Sequence, residues 1–224
     1  MEQPIPRSVF LKRRLKKIGI FPVAGQVLFQ AGVVPFLKQS SKRRLQEIEG
    51  ENQLCADPIE ESLVKRVKNL NDSETISLLR AFAPDVVVIN GTRILSAEVL
   101  NSVPTVFLNM HAGITPLYRG VHGGYWALVK REPESCGVTV HVVDAGIDTG
   151  GIVYQALIYP TAKDNFATYP LLQIAAGLPL MERAIEDTLQ NNLQFQPSPN
   201  GKSSLWSHPT IWEYAWNRVT RHVQ

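Results

Sequence analysis

Residues 85–89 read Asp-Val-Val-Val-Ile. Such an unbroken β-branched run crowds a helix and suits a strand covered on both faces, as in a parallel sheet. Pro84 stops whatever helix precedes it, and Asn90-Gly91 turns the chain directly after it. A short helical pattern at about 96–101 and a second apolar run at 105–108 complete a βαβ unit. A helix over 123–130 follows, then strands at 139–143 and 152–158 around a glycine-rich loop, and a long helix over about 168–190 bent at Pro179. Together these predict a three-layer α/β fold around a mostly parallel, open, Rossmann-like sheet. Ligands in such sheets bind beyond the carboxyl ends of the strands.

Before the first strand the pattern is helical. Ser73 caps a helix that turns Ile76, Leu79 and Phe82 inward. Asp57-Pro58, with Glu60, reads as the start of another, with Ile59, Leu63, Val67 and Leu70 on one face. Leu11, Leu15 and Ile18 form a stripe opposite Lys12, Arg13, Arg14, Lys16 and Lys17. An uncharged stretch from 18 to 37 follows, long enough to cross a bilayer, but Pro22, Pro35, three glycines and two glutamines interrupt it. A buried apolar helix, and no membrane, is the expectation. Basic charge is local: residues 1–50 hold ten Lys/Arg against three Glu, and the remainder thirteen against seventeen acidic residues. Without interleaved aromatics or base-reading motifs, this patch predicts no nucleic-acid partner. Cys55 and Cys136 lie far apart and fit neither a disulfide framework nor a metal knuckle, which suits a cytoplasmic location. The expected organisation is a helical segment at 1–54, a catalytic core at 55–192 and an irregular tail at 193–224, in which Trp212 and Trp216 pack as a stripe.

Asn109 and His111 leave the end of the second strand and enter a loop holding Gly113, Pro116 and Gly120. An amide there can donate to an oxygen that gains negative charge, and an imidazole can move a proton between nitrogens. A carboxylate beside the imidazole would support it. Asp148, on the glycine-flanked loop 144–151, is the candidate, although it can also serve only to cap that loop through an Asx turn. Asp144 then braces the turn that presents it. A metal held by His111, His141, Asp144 and Asp148 is not expected, because no metal-ligand spacing supports it.

The segment from Asn109-Met-His111 through Tyr118-Arg119-Gly120, followed by 137–151 with Asp148-Thr-Gly-Gly, resembles the folate-dependent formyltransferases. That family includes the phosphoribosylglycinamide, methionyl-tRNA and amino-sugar enzymes. Pro84-Asp85 through Gly91-Thr-Arg93-Ile94-Leu95 is similar to the segment whose backbone contributes to the pterin pocket. The resemblance implies a catalytic trio of Asn109, His111 and Asp148. It also implies a folate pocket using Gly91, Arg93, Ile94, Leu95, His141, Val143 and Asp144, although His141 alone, in a strand pattern, reads first as half-buried packing. Arg119, Gly120 and His122 are candidates for the acceptor side; Arg119 can instead pair with a surface carboxylate. The implied reaction moves a formyl group from 10-formyltetrahydrofolate to a small-molecule primary amine, and a homo-oligomer is compatible with it.

A phosphoribosylglycinamide-type acceptor ranks first, because His122 follows Gly120-Val121 as in that branch, and an amino sugar ranks next. The tRNA branch ranks last, since its separate C-terminal barrel finds no room in the tail. Two departures stand out. Gly113 occupies a position where the family usually has serine, and no strand–glycine turn–helix segment precedes Ser73. The second departure keeps open an inactive folate-binding or interaction homologue, with the strand at 85–89 left at a sheet edge.

Overall fold

The computed structural model describes residues 2–3 and 7–224. Four strands form the main sheet: β1 (Val86–Ile89), β2 (Val106–His111), β4 (Gly137–Val142) and β5 (Ile152–Leu157), in spatial order β1-β2-β4-β5. β1 and β2 pair in parallel, as a crossover through α6 (Ala97–Leu100) requires, and the Ser96 hydroxyl caps α6 by accepting from the Val99 N–H. β2–β4 and β4–β5 are antiparallel, the latter because a hairpin loop joins them. A separate parallel ribbon joins β3 (Tyr118–Gly120) to β6 (Ser204–Trp206).

Helices cover both faces of this open sheet. On one face α8 (Tyr169–Leu189) runs through Pro179 and packs Met181 and Ala184 on Leu108, Val140 and Val153. On the other, α5 (Ser73–Phe82) and α6 place Ile76 and Val99 against Phe107, with Val87 and Ile89 beside them. Strand alternation accounts for the split: Leu108 and Met110 point toward α8, while Phe107, Asn109 and His111 point away from it. α7 (Gly123–Lys130) contributes Tyr125, Trp126 and Ala127 to a third apolar cluster. That cluster also takes Phe29, Phe166, Tyr169 and Tyr214.

The N-terminal part is α1 (Arg7–Ile18), α2 (Ile20–Leu28), α3 (Val34–Ser40) and α4 (Lys42–Glu51). Gly19, at φ 82°, breaks α1 from α2. α2 continues through a single wide π turn, Phe29–Val33, into α3. Pro22 sits in the first turn of α2, where N–H groups have no helical partner, and Pro35 sits in the first turn of α3, one residue beyond the wide turn; the helix absorbs both.

Six expectations change. The apolar helix expected to be buried is not: across Ile20–Ser40, Ile20, Phe21, Leu28 and Phe36 are exposed. β1 is an edge strand and Val88 is 45% exposed, so the β-branched run is not covered on both faces. No α-helix forms over 57–70: there is one 3₁₀ turn, Glu61–Leu63, Ile59 and Leu63 are exposed, and Val67 forms a bridge with Glu2. Phe82 of α5 is also exposed. The tail is not irregular, because it carries β6 and α9 (Ile211–Thr220), the latter opened by a capping box between Thr210 and Glu213. Trp212 and Trp216 form no buried stripe; Trp212 lies over Gly25 of α2, whose missing side chain makes room for the ring, and Trp216 is exposed.

Candidate active site

Asn109 and His111, two apart on β2, share the face away from α8. The antiparallel register sets His141 of β4 directly opposite Asn109. Their side chains meet there, with Asn109 Nδ2 3.1 Å from His141 Nε2. The His141 Nδ1–H donates to the Val142 carbonyl at 2.9 Å, which leaves Nε2 as the acceptor for the Asn109 amide. One Asn109 amide hydrogen is therefore held by His141, and the second is free to act on a ligand.

His111 is 6% exposed. Its Nε2 lies 2.7 Å from the Tyr118 carbonyl oxygen, which only accepts, so the neutral ring carries its hydrogen on Nε2. Nδ1 then presents its lone pair toward Asp148 Oδ2 at 3.4 Å. Burial holds the His111 pKa below the ordinary histidine value, and Asp148 with the Tyr118 carbonyl offsets part of that effect.

Asp148 itself adopts φ 51°, the left-handed region that a non-glycine residue occupies only when its surroundings demand it. Those surroundings are visible. The Gly120 N–H donates to Asp148 Oδ2 at 2.9 Å, and Arg119 bonds the Ile147 carbonyl at 3.0 Å. Asp144 accepts from the Gly146 N–H at 2.9 Å and the Thr149 hydroxyl at 2.7 Å, bracing the turn. Burial raises the Asp148 pKa, but nearby His141 and His111 and the Gly120 N–H outweigh it, so the carboxyl stays below its usual range. At 3.8 Å no hydrogen bond is formed between His141 and the carboxylate, and the ring acts on it through the charge it carries when protonated.

Gly113 makes the arrangement sterically feasible. A side-chain carbon there would overlap the Tyr118 carbonyl oxygen and lie 2.9 Å from His111 Nε2. The glycine thus admits the carbonyl that orients the imidazole, at the position where the family usually has serine.

These groups open into a cleft of about 370 Å³. Asn109, His111 and Asp148 line it together with Gly91, Arg93, Ile94, Leu95, His141, Val143, Asp144 and Gly120. Arg93 pairs with Glu2, so its charge is already balanced at the cleft wall. Arg119 is not part of the lining: its Nε donates to Ser203 Oγ at 2.9 Å and its other bond ties it to Ile147. His122 is turned away. Its Nε2 lies 2.9 Å from His208 Nδ1 and its ring rests on Phe166 at 4.4 Å, which removes it from the acceptor side. Burial, with His208 adding to it, lowers its pKa to about 3. Among the described residues no group of three or more His, Cys, Asp or Glu could hold a metal ion.

Sequence reasoning did not anticipate the Tyr118 carbonyl, the Gly120 N–H or the link from His141 to Asn109. The first two are backbone groups that no side-chain pattern announces. The third needs the β2–β4 register, since it is a cross-strand pair.

The family model for formyl transferases matches residues 29–169. Methionyl-tRNA formyltransferase of Azobacteroides pseudotrichonymphae is 31% identical over 163 residues, 70% of this chain and 50% of that protein. The chain thus spans about half the length of this curated relative. Among solved structures, a sugar N-formyltransferase from Shewanella superposes with a TM-score of 0.53 at 18% identity, covering 75% of this chain and 72% of that one. Glycinamide ribonucleotide transformylase 1 from Symbiobacterium toebii gives 0.51 at 24%, covering 59% and 66%. At such identities these two likenesses establish the fold alone.

Proposed function

Because the chain belongs to the formyl transferase family, we propose that it transfers a formyl group from 10-formyltetrahydrofolate to a primary amine. The observation that carries this reading is the meeting of Asn109, His111 and Asp148 at one cleft. Ile89, Ile94, Leu95 and Val143 give the cleft apolar walls for a flat pterin, and the backbone at 91–95 and 143–148 supplies polar groups for its edges. When bound, the donor supplies the formyl carbon.

Asn109 uses its second amide hydrogen to stabilise the carbonyl oxygen as that oxygen gains charge. His111 receives the proton of the incoming amine at Nδ1, the ring atom left open by the bond to Tyr118, as the new C–N bond forms, and returns it to the departing folate nitrogen as the old bond to the formyl carbon breaks. Asp148 shares that proton and stabilises the imidazolium. The braced loop around Asp144 and Arg119 keeps the carboxylate in place while this happens.

Loss of His122 from the cleft removes the residue on which the phosphoribosylglycinamide ranking stood, so an amino-sugar acceptor moves ahead of it. A tRNA-borne amine is the second reading, favoured by the methionyl-tRNA relative. In this proposal the protein works in the cytoplasm.

Single-turnover formyl transfer, run with each of these three acceptor classes, is the test. His111→Ala and Asp148→Asn should each lower the rate by about 10²–10⁴. Asn109→Ala should cost about 10²–10³. Binding of a non-reactive folate analogue should survive in all three variants. Near-normal turnover in either the His111 or the Asp148 variant refutes the assignment, and failure of the unaltered chain to bind the analogue refutes the folate reading.

A further inference from the structure

The continuous helix Ile20–Ser40 buries one face and leaves the other bare. Val23, Gln26, Phe29 and Leu37 face the protein, with the Phe29 ring 4.8 Å from Phe166 and 4.9 Å from Tyr214. On the outer face Ile20, Phe21, Leu28 and Phe36 are 68%, 79%, 55% and 71% exposed. Val27, at 44%, fills the stripe, and exposed Ala24, Ala31 and Pro35 keep it apolar. Their spacing of three and four places them on a single side of the helix.

Beside this stripe lies α1, joined to α2 by the break at Gly19 and held to it by Arg14, whose guanidinium bonds Gln26 Oε1 at 2.7 Å. Lys12, Arg13, Lys16 and Lys17 of α1 are exposed. Between Glu2 and Glu47 the sequence has ten Lys/Arg and no Asp or Glu. A bare apolar face bordered by the exposed cations Lys12, Arg13, Lys16 and Lys17 has the chemistry of a helix that lies in the interface of an anionic bilayer.

We infer that this chain docks on anionic membrane surfaces through the outer face of the helix Ile20–Ser40, with α1 supplying the electrostatic attraction. The helix lies on the bilayer rather than crossing it, because crossing would pull the fully buried Phe29 out of its aromatic cluster and break the 2.7 Å bond from Gln26 Nε2 to the His208 carbonyl. Docking of a second copy is opposed by charge, since it would bring two basic α1 helices together.

The test uses the full chain and flotation with two sets of vesicles, pure phosphatidylcholine and phosphatidylcholine with roughly a third phosphatidylserine. Binding should be confined to the anionic vesicles and weaken as salt is raised. The set Lys12→Gln, Arg13→Gln, Lys16→Gln and Lys17→Gln should weaken binding on the order of 10³-fold, about fivefold for each charge near the surface. The set Phe21→Ser, Leu28→Ser and Phe36→Ser should abolish it. Both sets touch only exposed side chains, so far-ultraviolet circular dichroism and the thermal midpoint should stay unchanged, which separates lost docking from lost fold. Absence of binding to either vesicle overturns the inference, as does equal binding to both. So does resistance to extraction by alkaline carbonate, the mark of a spanning helix, or a dimer on size exclusion that the serine set dissolves.

Discussion

At the scale of single residues, the site is organised by which nitrogen of each histidine is already committed. His111 spends Nε2 on the Tyr118 carbonyl and His141 spends Nδ1 on the Val142 carbonyl. One ring is left with a vacant Nδ1 facing a carboxylate, and the other with an Nε2 that fixes an amide. The first ring must be neutral to take a proton, and burial favours that state by lowering its pKa. Activity should therefore be fully present at neutral pH and fall only as acid charges His111. The acid limb of kcat/KM should have its midpoint below about 6.5, the value of an unperturbed histidine. A midpoint above that value in the pH–rate profile would contradict the placement. Asn109, His111 and Asp148 were legible in the sequence because their chemistry resides in side chains at recognisable spacing. The orienting carbonyl of Tyr118 was not, and Gly113 shows why: its contribution is the absence of atoms, which a motif records only as a departure.

At the scale of elements, the run at 85–89 did become a strand, and the βαβ unit, the hairpin and the long helix formed where the periodicity placed them. What failed was inference from caps without a partner surface. Asp57-Pro58 and Glu60 carry helix-start chemistry, yet Ile59 and Leu63 meet nothing apolar and stay exposed. Local signals of about 1 kcal/mol cannot hold a short helix that buries no face. The opposite holds for α8, whose interior Pro179 is tolerated because the helix packs along the sheet. Gly177 lets it approach so closely: a side-chain carbon there would overlap Met110 Sδ and lie 2.9 Å from the nearest Val138 methyl. Helix propensity alone favours Gly177→Ala by about 1 kcal/mol. The overlap should reverse the sign, giving a net loss of about 1–2 kcal/mol by chemical denaturation. A stabilised variant would show that α8 does not sit tightly on β2 and β4.

At the scale of the whole molecule, the N-terminal helices and the C-terminal segment belong to the same packed body as the sheet. Phe29 enters the aromatic cluster, Gly25 receives Trp212, and α4 reaches the loop before α8 through Arg44 and Asp164, whose Nε and Oδ1 are 2.9 Å apart. Asp164 is almost fully buried, and Thr161 gives it two further hydrogen bonds, from N–H and hydroxyl, at 2.8 Å each. Burial raises its pKa, but Arg44 and Thr161 overcome that, so the carboxylate is charged inside the fold. Removing the cation strands a buried charge, whereas removing a cation from a solvated pair changes little. Arg44→Ala should therefore cost about 3 kcal/mol, near the lower end for buried pairs because Thr161 continues to serve the carboxylate. Arg43→Ala, one position away, breaks a pair with Glu47 in which the arginine is 92% exposed, and should change stability by less than about 0.5 kcal/mol. The sign of the pH dependence follows from the depressed pKa: the Asp164 contribution is present above the unfolded carboxyl value near 3.9 and is lost as pH falls through the lower folded value. Urea midpoints of the two alanine variants at neutral pH decide the matter. Equal midpoints would mean that α4 rides on the surface, and a large gap would mean that the N-terminal helices are anchored to the unit that carries the cleft.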